Sequence, residues 1–128
     1  MKRRLGDACG LTRFGVNLVV LAPGGQSALR HWHTQEDEFV YVLDGEVVLV
    51  TDDGEQVLRA GDCAGYPASK RDGHHFVNRS GAPARYLEVG NSDPADSPCY
   101  PDDDLMWVED SRGEFYAHKD GRPYGDES

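Results

Sequence analysis

Short β-branched runs broken by turn signals roughly every 8–12 residues are the spacing of a β-sandwich or barrel, and residues 14–90 follow it. The run FGVNLVVLA (14–22) stops at Pro23-Gly24-Gly25, and a second run covers 28–33. Runs 38–43 and 46–51 flank Asp44-Gly45, a dipeptide that signals a tight hairpin. Run 55–59 follows a second Asp-Gly pair, Asp53-Gly54, and runs 63–66, 74–79 and 84–89 complete the series. No stretch of about a dozen residues carries the helical period. The expectation is an all-β barrel.

Length and charge narrow the reading. A chain of 128 residues and 14.1 kDa suits one domain. Residues 1–90 carry 12 acidic and 10 basic side chains, and residues 91–128 carry 11 and 3. The chain therefore divides into an N-terminal lead-in (1–13), a near-neutral barrel (14–90) and an acidic C-terminal arm (91–128), parted near Gly90-Asn91-Ser92-Asp93-Pro94. Within the arm, 104–110 and 114–120 read as strands, and Trp107, Phe115 and Tyr116 favour partial order. A net charge of -10 repels phosphate backbones and anionic headgroups, which argues against nucleic acid and membrane surfaces as partners. The longest nearly apolar run, 16–22, is far short of the roughly 20 residues of a membrane span. MKRRLGDACG has no apolar stretch of a signal peptide. Cys9, Cys63 and Cys99 form no CxxC pair and read as small buried hydrophobes. These features point to the cytoplasm.

Two runs, FVYVL and VVLV, are apolar on both faces. A half-buried strand alternates, so the arm or a second subunit should cover the outer face. A homodimer is the expectation.

The segment GGQSALRHWHTQEDEFVYVLDG (24–45) carries the chemistry. Alternate residues of a strand share a face, so His31 and His33 project together. If they face inward with Leu29, then Ala28, Arg30 and Trp32 face outward. Glu38 opens the next run and shares its face with Val40 and Val42, so a turn would bring it beside the imidazoles. Neutral imidazoles with a carboxylate suit divalent Fe, Mn, Ni, Cu or Zn. A second segment, GDCAGYPASKRDGHHFVN (61–78), offers His74 or His75 as a third imidazole.

Together the two segments resemble the paired motifs of the cupin superfamily. Gly25, His31, His33, Glu38 and Gly45 meet every position of G-x5-H-x-H-x3/4-E-x6-G. Gly61, Pro67, His74 and Asn78 fit G-x5-P-x-G-x2-H-x3-N, with Ser69 at the middle glycine and two extra residues before the histidine. The resemblance implies a double-stranded β-helix (jelly-roll) barrel, here extended by the acidic arm, and one metal held by three histidines and a glutamate. Carried onto this chain the ligands are His31, His33, Glu38 and His74. His74 is preferred to His75 because Asn78 follows it by four, and Glu38 to Glu36 or Asp37 because it lies seven before Gly45.

Around this set, His75, Tyr66, Asn78, Lys70 and Arg71 are candidates for the pocket or for the layer behind the ligands. Tyr86 and Glu88 read as barrel wall. Lys70, Arg71 and Arg30 are the cations that could meet an anionic ligand. Similar proteins include isomerases, dioxygenases and decarboxylases, as well as sensor modules. The reading is a small metalloenzyme of isomerase or dioxygenase type acting on a small, polar, oxygen-rich molecule. The alternative is a non-catalytic metal- or ligand-binding module, since no general acid or base beyond the ligands stands out.

Overall fold

Side chains branched at Cβ pack well on a pleated surface, and the Val- and Leu-rich runs form the strands. The computed structural model describes residues 1–124. Its elements are β1 (Lys2–Arg4), α1 (Leu5–Ala8), β2 (Phe14–Leu21), β3 (Trp32–His33), β4 (Glu38–Asp44), β5 (Glu46–Thr51), β6 (Gly54–Arg59), β7 (Cys63–Tyr66), β8 (His75–Val77), β9 (Ala84–Asn91), β10 (Pro98–Cys99), β11 (Met106–Asp110) and β12 (Gly113–Ala117). A five-stranded sheet, β1-β2-β9-β4-β7, faces a three-stranded one, β6-β5-β8. Val19, Leu21, Val40, Val42, Ala84 and Tyr86 from the first meet Val47, Leu49, Leu58 and Phe76 from the second. Each large side chain so buried contributes roughly 1.5–3 kcal/mol. The fold is the all-β jelly-roll barrel expected from the strand pattern and the motifs.

The Asp44-Gly45 hairpin does not form. β4 pairs with β7 and β9, whereas β5 pairs with β6 and β8 in the facing sheet. A two-residue type I′ hairpin needs positive φ at both central residues. Gly45 has it (78°), but Asp44 does not. A register shift between Val42 and Asp44 bends the strand just before the crossing, so the pair forms a corner between sheets. The second Asp-Gly does join a hairpin, but one residue early: Thr51 pairs with Gly54, which leaves Asp52 and Asp53 as the loop.

The expected strand 28–33 is regular only at Trp32 and His33. Arg30 lies in the irregular segment just before them. Its guanidinium takes both oxygens of Asp102 (2.6 and 2.9 Å), bonds Asp52 and donates to the Gly73 carbonyl at 2.9 Å. These carboxylates raise its pKa, so it stays a cation. Arg30 thus clamps three segments of chain and is not a free contact for an anionic ligand.

The arm supplies β10, β11 and β12, which join β3 in a four-stranded sheet. Asp110 pairs with Gly113 across the two-residue loop Ser111-Arg112. The arm does not cover β4, where Phe39, Tyr41 and Leu43 remain 42%, 40% and 42% exposed. Residues 1–13, read as a lead-in, carry α1 and the edge strand β1. The cysteines are not buried hydrophobes: Cys9 and Cys63 are exposed, Cys99 is partly so, and all three are free thiols. Cys63 lies opposite the exposed Tyr41, on the outer face of its sheet. No helix among the described residues is long and apolar enough to cross a membrane.

A Cβ at residue 45 would lie 2.8 Å from the Pro83 carbonyl oxygen, on top of left-handed backbone. Gly45→Ala should therefore cost about 2–3 kcal/mol, read as a lower urea midpoint at unchanged slope.

Candidate metal centre

Backbone pairing brings the two motif halves together. His31 N–H donates to the His74 carbonyl (3.2 Å) and His74 N–H to that of His31 (2.9 Å). This narrow bridge sets the two imidazoles 5.4 Å apart between ring centres. His33, two residues on, presents its ring edge-to-face to His31 at 5.0 Å. Glu38 enters from the start of β4, opposite Tyr66 of β7 and Gly90 of β9. Its Oε2 lies 3.6 Å from His33 Nε2 and its Oε1 lies 3.4 Å from His74 Nε2. Ligating atoms of His31, His33 and Glu38 all fall within 4.8 Å of one another.

The loop before His74 contains the departures from the family motif. Ser69 takes a φ of 68° and is the one non-glycine in the left-handed region among the described residues. Two bonds hold it there. Its N–H donates to the His33 carbonyl at 2.8 Å, and its hydroxyl donates to the Thr34 carbonyl at 3.0 Å. A serine thus adopts the backbone that a glycine would take freely, and ties the loop to the histidine strand.

The ring nitrogens have defined roles. His31 Nδ1 lies 2.7 Å from the Leu29 carbonyl oxygen, which only accepts, so Nδ1 carries the proton. His33 Nδ1 stands in the same relation to Asp96 Oδ2 at 2.8 Å. In the neutral form of each ring Nε2 is then bare. His74 is 2% exposed, and neither of its nitrogens has a hydrogen-bond partner among the described residues. Its Nε2 approaches Glu38 without the geometry of a hydrogen bond. An orphaned buried imidazole is costly unless something binds it.

Charge follows from the surroundings. Burial lowers the His31 pKa, and the neighbouring imidazoles of His33 and His74 lower it further against the Leu29 carbonyl. Burial opposes ionisation of Glu38, but His74, His33 and His31 outweigh it and hold the carboxyl below the usual range. Imidazoles around a carboxylate are the donor set of a divalent transition metal. A divalent transition metal fits these residues.

Three cavities reach the group, of which two are the larger. One of about 320 Å³ is walled by Trp32, His33, Glu36, Tyr66, Lys70 and His74. The other, about 240 Å³, is walled by Lys2, His31, His33, Glu38, His74 and Tyr86. The Tyr66 ring stacks on His74 at 3.5 Å, and its buried hydroxyl has no hydrogen-bond partner among the described residues. Burial and the Glu38 charge push that phenol's pKa up, so it remains a donor.

The remaining expected residues divide. His75 Nδ1 lies 2.8 Å from the Ala28 carbonyl at the rim of the smaller cavity, and it is His74 that faces Glu38. Asn78 is fully buried away from both cavities, donating to Leu21 and Ala82 carbonyls and accepting from Ser80. Lys70 lines the larger cavity, whereas Arg71 is an exposed loop residue. Tyr86 is core at 1% exposure, and Glu88 accepts from Lys2 and Asn17. Asp37 accepts from the Ala68 N–H, and Glu36 from that of Asp93.

Sequence reasoning missed Asp96 and Tyr100. Tyr100 sits 5.8 Å from the His31 ring. Both belong to the arm, outside either motif, and no spacing marks them. His33, Glu36 and Asp96 are a second group near enough to hold an ion. Both Asp96 oxygens, however, already accept protein N–H groups.

His31 and Glu38 give the metal-free protein a predictable response to acid. Both have folded pKa values below their unfolded ones, so the unfolded chain binds more protons as pH falls. Stability should fall from about pH 7 to pH 5 as His31 charges, and fall further through the carboxylate range. Thermal melts in chelator check this, and a flat profile over the first interval would contradict it.

The Cupin domain family matches residues 17–90. A protein of Silicibacter pomeroyi described as a sugar phosphate isomerase from the cupin superfamily is 51% identical, with a TM-score of 0.89 over 95% of this chain and 78% of that one. A candidate sugar phosphate isomerase of Acidithiobacillus ferrooxidans is 27% identical, with a TM-score of 0.84 over 92% and 75%. The polyketide cyclase RemF of Streptomyces resistomycificus is 26% identical, with a TM-score of 0.64 over 74% and 67%. No curated protein matches the chain. With more than half its length matched and both motif halves meeting at one cluster, this chain belongs to the cupin family.

Proposed function

We propose that this cupin is a mononuclear metalloenzyme that isomerises a small, oxygen-rich carbonyl compound, with His31, His33, Glu38 and His74 holding the metal. The observation that carries the reading is the state of the imidazoles. Two hold Nδ1 against an acceptor and the third is buried with no hydrogen-bond partner among the described residues, all beside one carboxylate. The 51% identity to a protein described as a sugar phosphate isomerase favours a phosphorylated sugar as substrate over oxygen chemistry. A divalent metal (Fe, Mn, Ni, Cu or Zn) supplies a Lewis acid that polarises a carbonyl.

The chain's own groups supply the rest. The Tyr66 ring stacks on His74 and holds that imidazole in place. Lys70 is the cation on the wall of the larger cavity and can meet an anionic group. Glu36 lines that cavity within 4.8 Å of His33 and uses one carboxylate oxygen on the Asp93 N–H. The other is free to move a proton between adjacent carbons.

Elemental analysis of untagged protein should return about one metal per chain, and His31→Ala or His33→Ala should lose most of it while the barrel stays folded. Either variant at full occupancy would overturn the ligand assignment. In D2O, metal-loaded protein should exchange a carbon-bound proton of aldose or ketose phosphates without consuming O2. Oxygen uptake would make the protein a dioxygenase. Tight metal with neither reaction would make it a binding module.

A homodimer goes with this reading. Phe39, Val89 and Val16 lie in one cross-strand row, and Tyr41, Leu87 and Leu18 in the next, on the outer face of the five-stranded sheet. A second copy would cover both rows. Light scattering should report a dimer for the wild type and a monomer for Tyr41→Asp. A monomeric wild type would refute it. Three free thiols suit a reducing compartment such as the cytoplasm. Residues 14–90 are taken as the barrel, with 1–13 as its lead-in and 91–128 as its arm.

A further inference from the structure

We propose that Asp96, on the C-terminal arm, is a positioning residue that fixes the tautomer and aim of His33 and the backbone between His33 and Glu38. The inference rests on the metal reading only for its consequence, metal affinity. The positioning itself is read from the metal-free protein.

One carboxylate makes all the contacts. Oδ2 lies 2.8 Å from His33 Nδ1, while Oδ1 accepts the backbone N–H groups of Gln35 (2.9 Å) and Glu36 (3.1 Å). Those two residues lie on the turn that carries the chain from His33 to Glu38. A single side chain therefore orients one imidazole and sets the path to the carboxylate that faces it.

Asp96 is itself held. Its N–H donates to the Asp93 carbonyl at 3.0 Å. The next residue is paired twice with Thr34: Ser97 N–H reaches Thr34 Oγ1 at 3.0 Å, and Thr34 N–H reaches the Ser97 carbonyl at 3.2 Å. The Asp96 side chain is only 9% exposed, so water competes poorly for its oxygens.

Tautomer choice is where this matters. A neutral imidazole carries its proton on either nitrogen, and the hydrogen bond made by one nitrogen decides what the other offers. With Asp96 present, a bare Nδ1 would face a carboxylate oxygen at 2.8 Å, two acceptors with no proton between them. The proton is held on Nδ1 and Nε2 is left bare. Without Asp96, Nε2–H becomes available, and Glu38 Oε2 waits 3.6 Å away to accept it. His33 and Glu38 would then bond each other instead of sharing an open site. Asp96 lies 63 residues from His33 and outside the family match at 17–90, so this function belongs to the arm.

The test uses full-length protein with nitrogen-15-labelled histidine, metal-free, above the ordinary imidazole range. Wild-type His33 should show the Nδ1–H tautomer. Asp96→Ala should move it toward Nε2–H and weaken Mn(II) binding about 10- to 100-fold. Backbone amide spectra of the same samples report the fold. Asp96→Asn, which keeps the shape and loses the charge, should shift His33 the same way to a lesser degree, and it carries the test should the alanine variant not fold. An unchanged His33 tautomer in a folded variant overturns the proposal, as does a shifted tautomer with undiminished Mn(II) affinity. Wild-type protein that binds no Mn(II), yet whose His33 tautomer depends on Asp96, removes the metal reading and supports the positioning role.

Discussion

The reciprocal backbone bond between His31 and His74 is the contact on which the chemistry depends. Each residue donates to the other's carbonyl, and this bridge is isolated from any longer ladder. It joins segments that are 43 residues apart and lie on opposite sides of the β4–β7 excursion. A strand pair places side chains on one face by geometry alone, so once these two residues are opposite each other their imidazoles must be neighbours. Glu38 then needs only the inward-facing position of β4, which it shares with Val40 and Val42.

The surroundings keep this bridge in place from outside the barrel. Arg30, one residue before His31, binds Asp102 of the arm, Asp52 of the β5–β6 loop and the carbonyl of Gly73, one residue before His74. β10 pairs with β3 through His33 and Trp32, and Asp96 reaches the His33 ring. The arm thus packs against the candidate site through His33, while Val40, Val42, Phe76 and Tyr86 belong to the hydrophobic core. A carboxylate behind a ligating histidine fixes its direction and raises its basicity. In this chain that carboxylate comes from a segment that adds nothing to the core cluster.

Legibility differed by residue. That His31, His33 and Glu38 come together was legible because two-residue alternation and a short turn are local rules. His74 was separable from His75 only through the motif. Only residues 32–33 of the expected strand 28–33 are regular, and the partners of Arg30 before them, acids 22 and 72 residues away, leave no local signal. Asp44-Gly45 was read as a hairpin, because the dipeptide cannot report whether its flanking strands share a sheet. Asp96 and Tyr100 were invisible, since one aspartate among the 11 acids of the arm carries no positional signal.

By itself the sequence determined the strand-rich barrel, the inward apolar faces and the donor types at the centre. Those follow from branching at Cβ, alternation along a strand and the chemistry of imidazole and carboxylate. Only the tertiary structure decided which nitrogen of His33 meets a carboxylate, where the arm packs and which sheet receives β5. His33 takes its partner from Asp96, 63 residues away, the arm packs by pairing β10 with β3, and β5 finds β8 in the facing sheet. A hydrogen bond between remote residues exists only once the fold has brought its two ends within 3 Å or so.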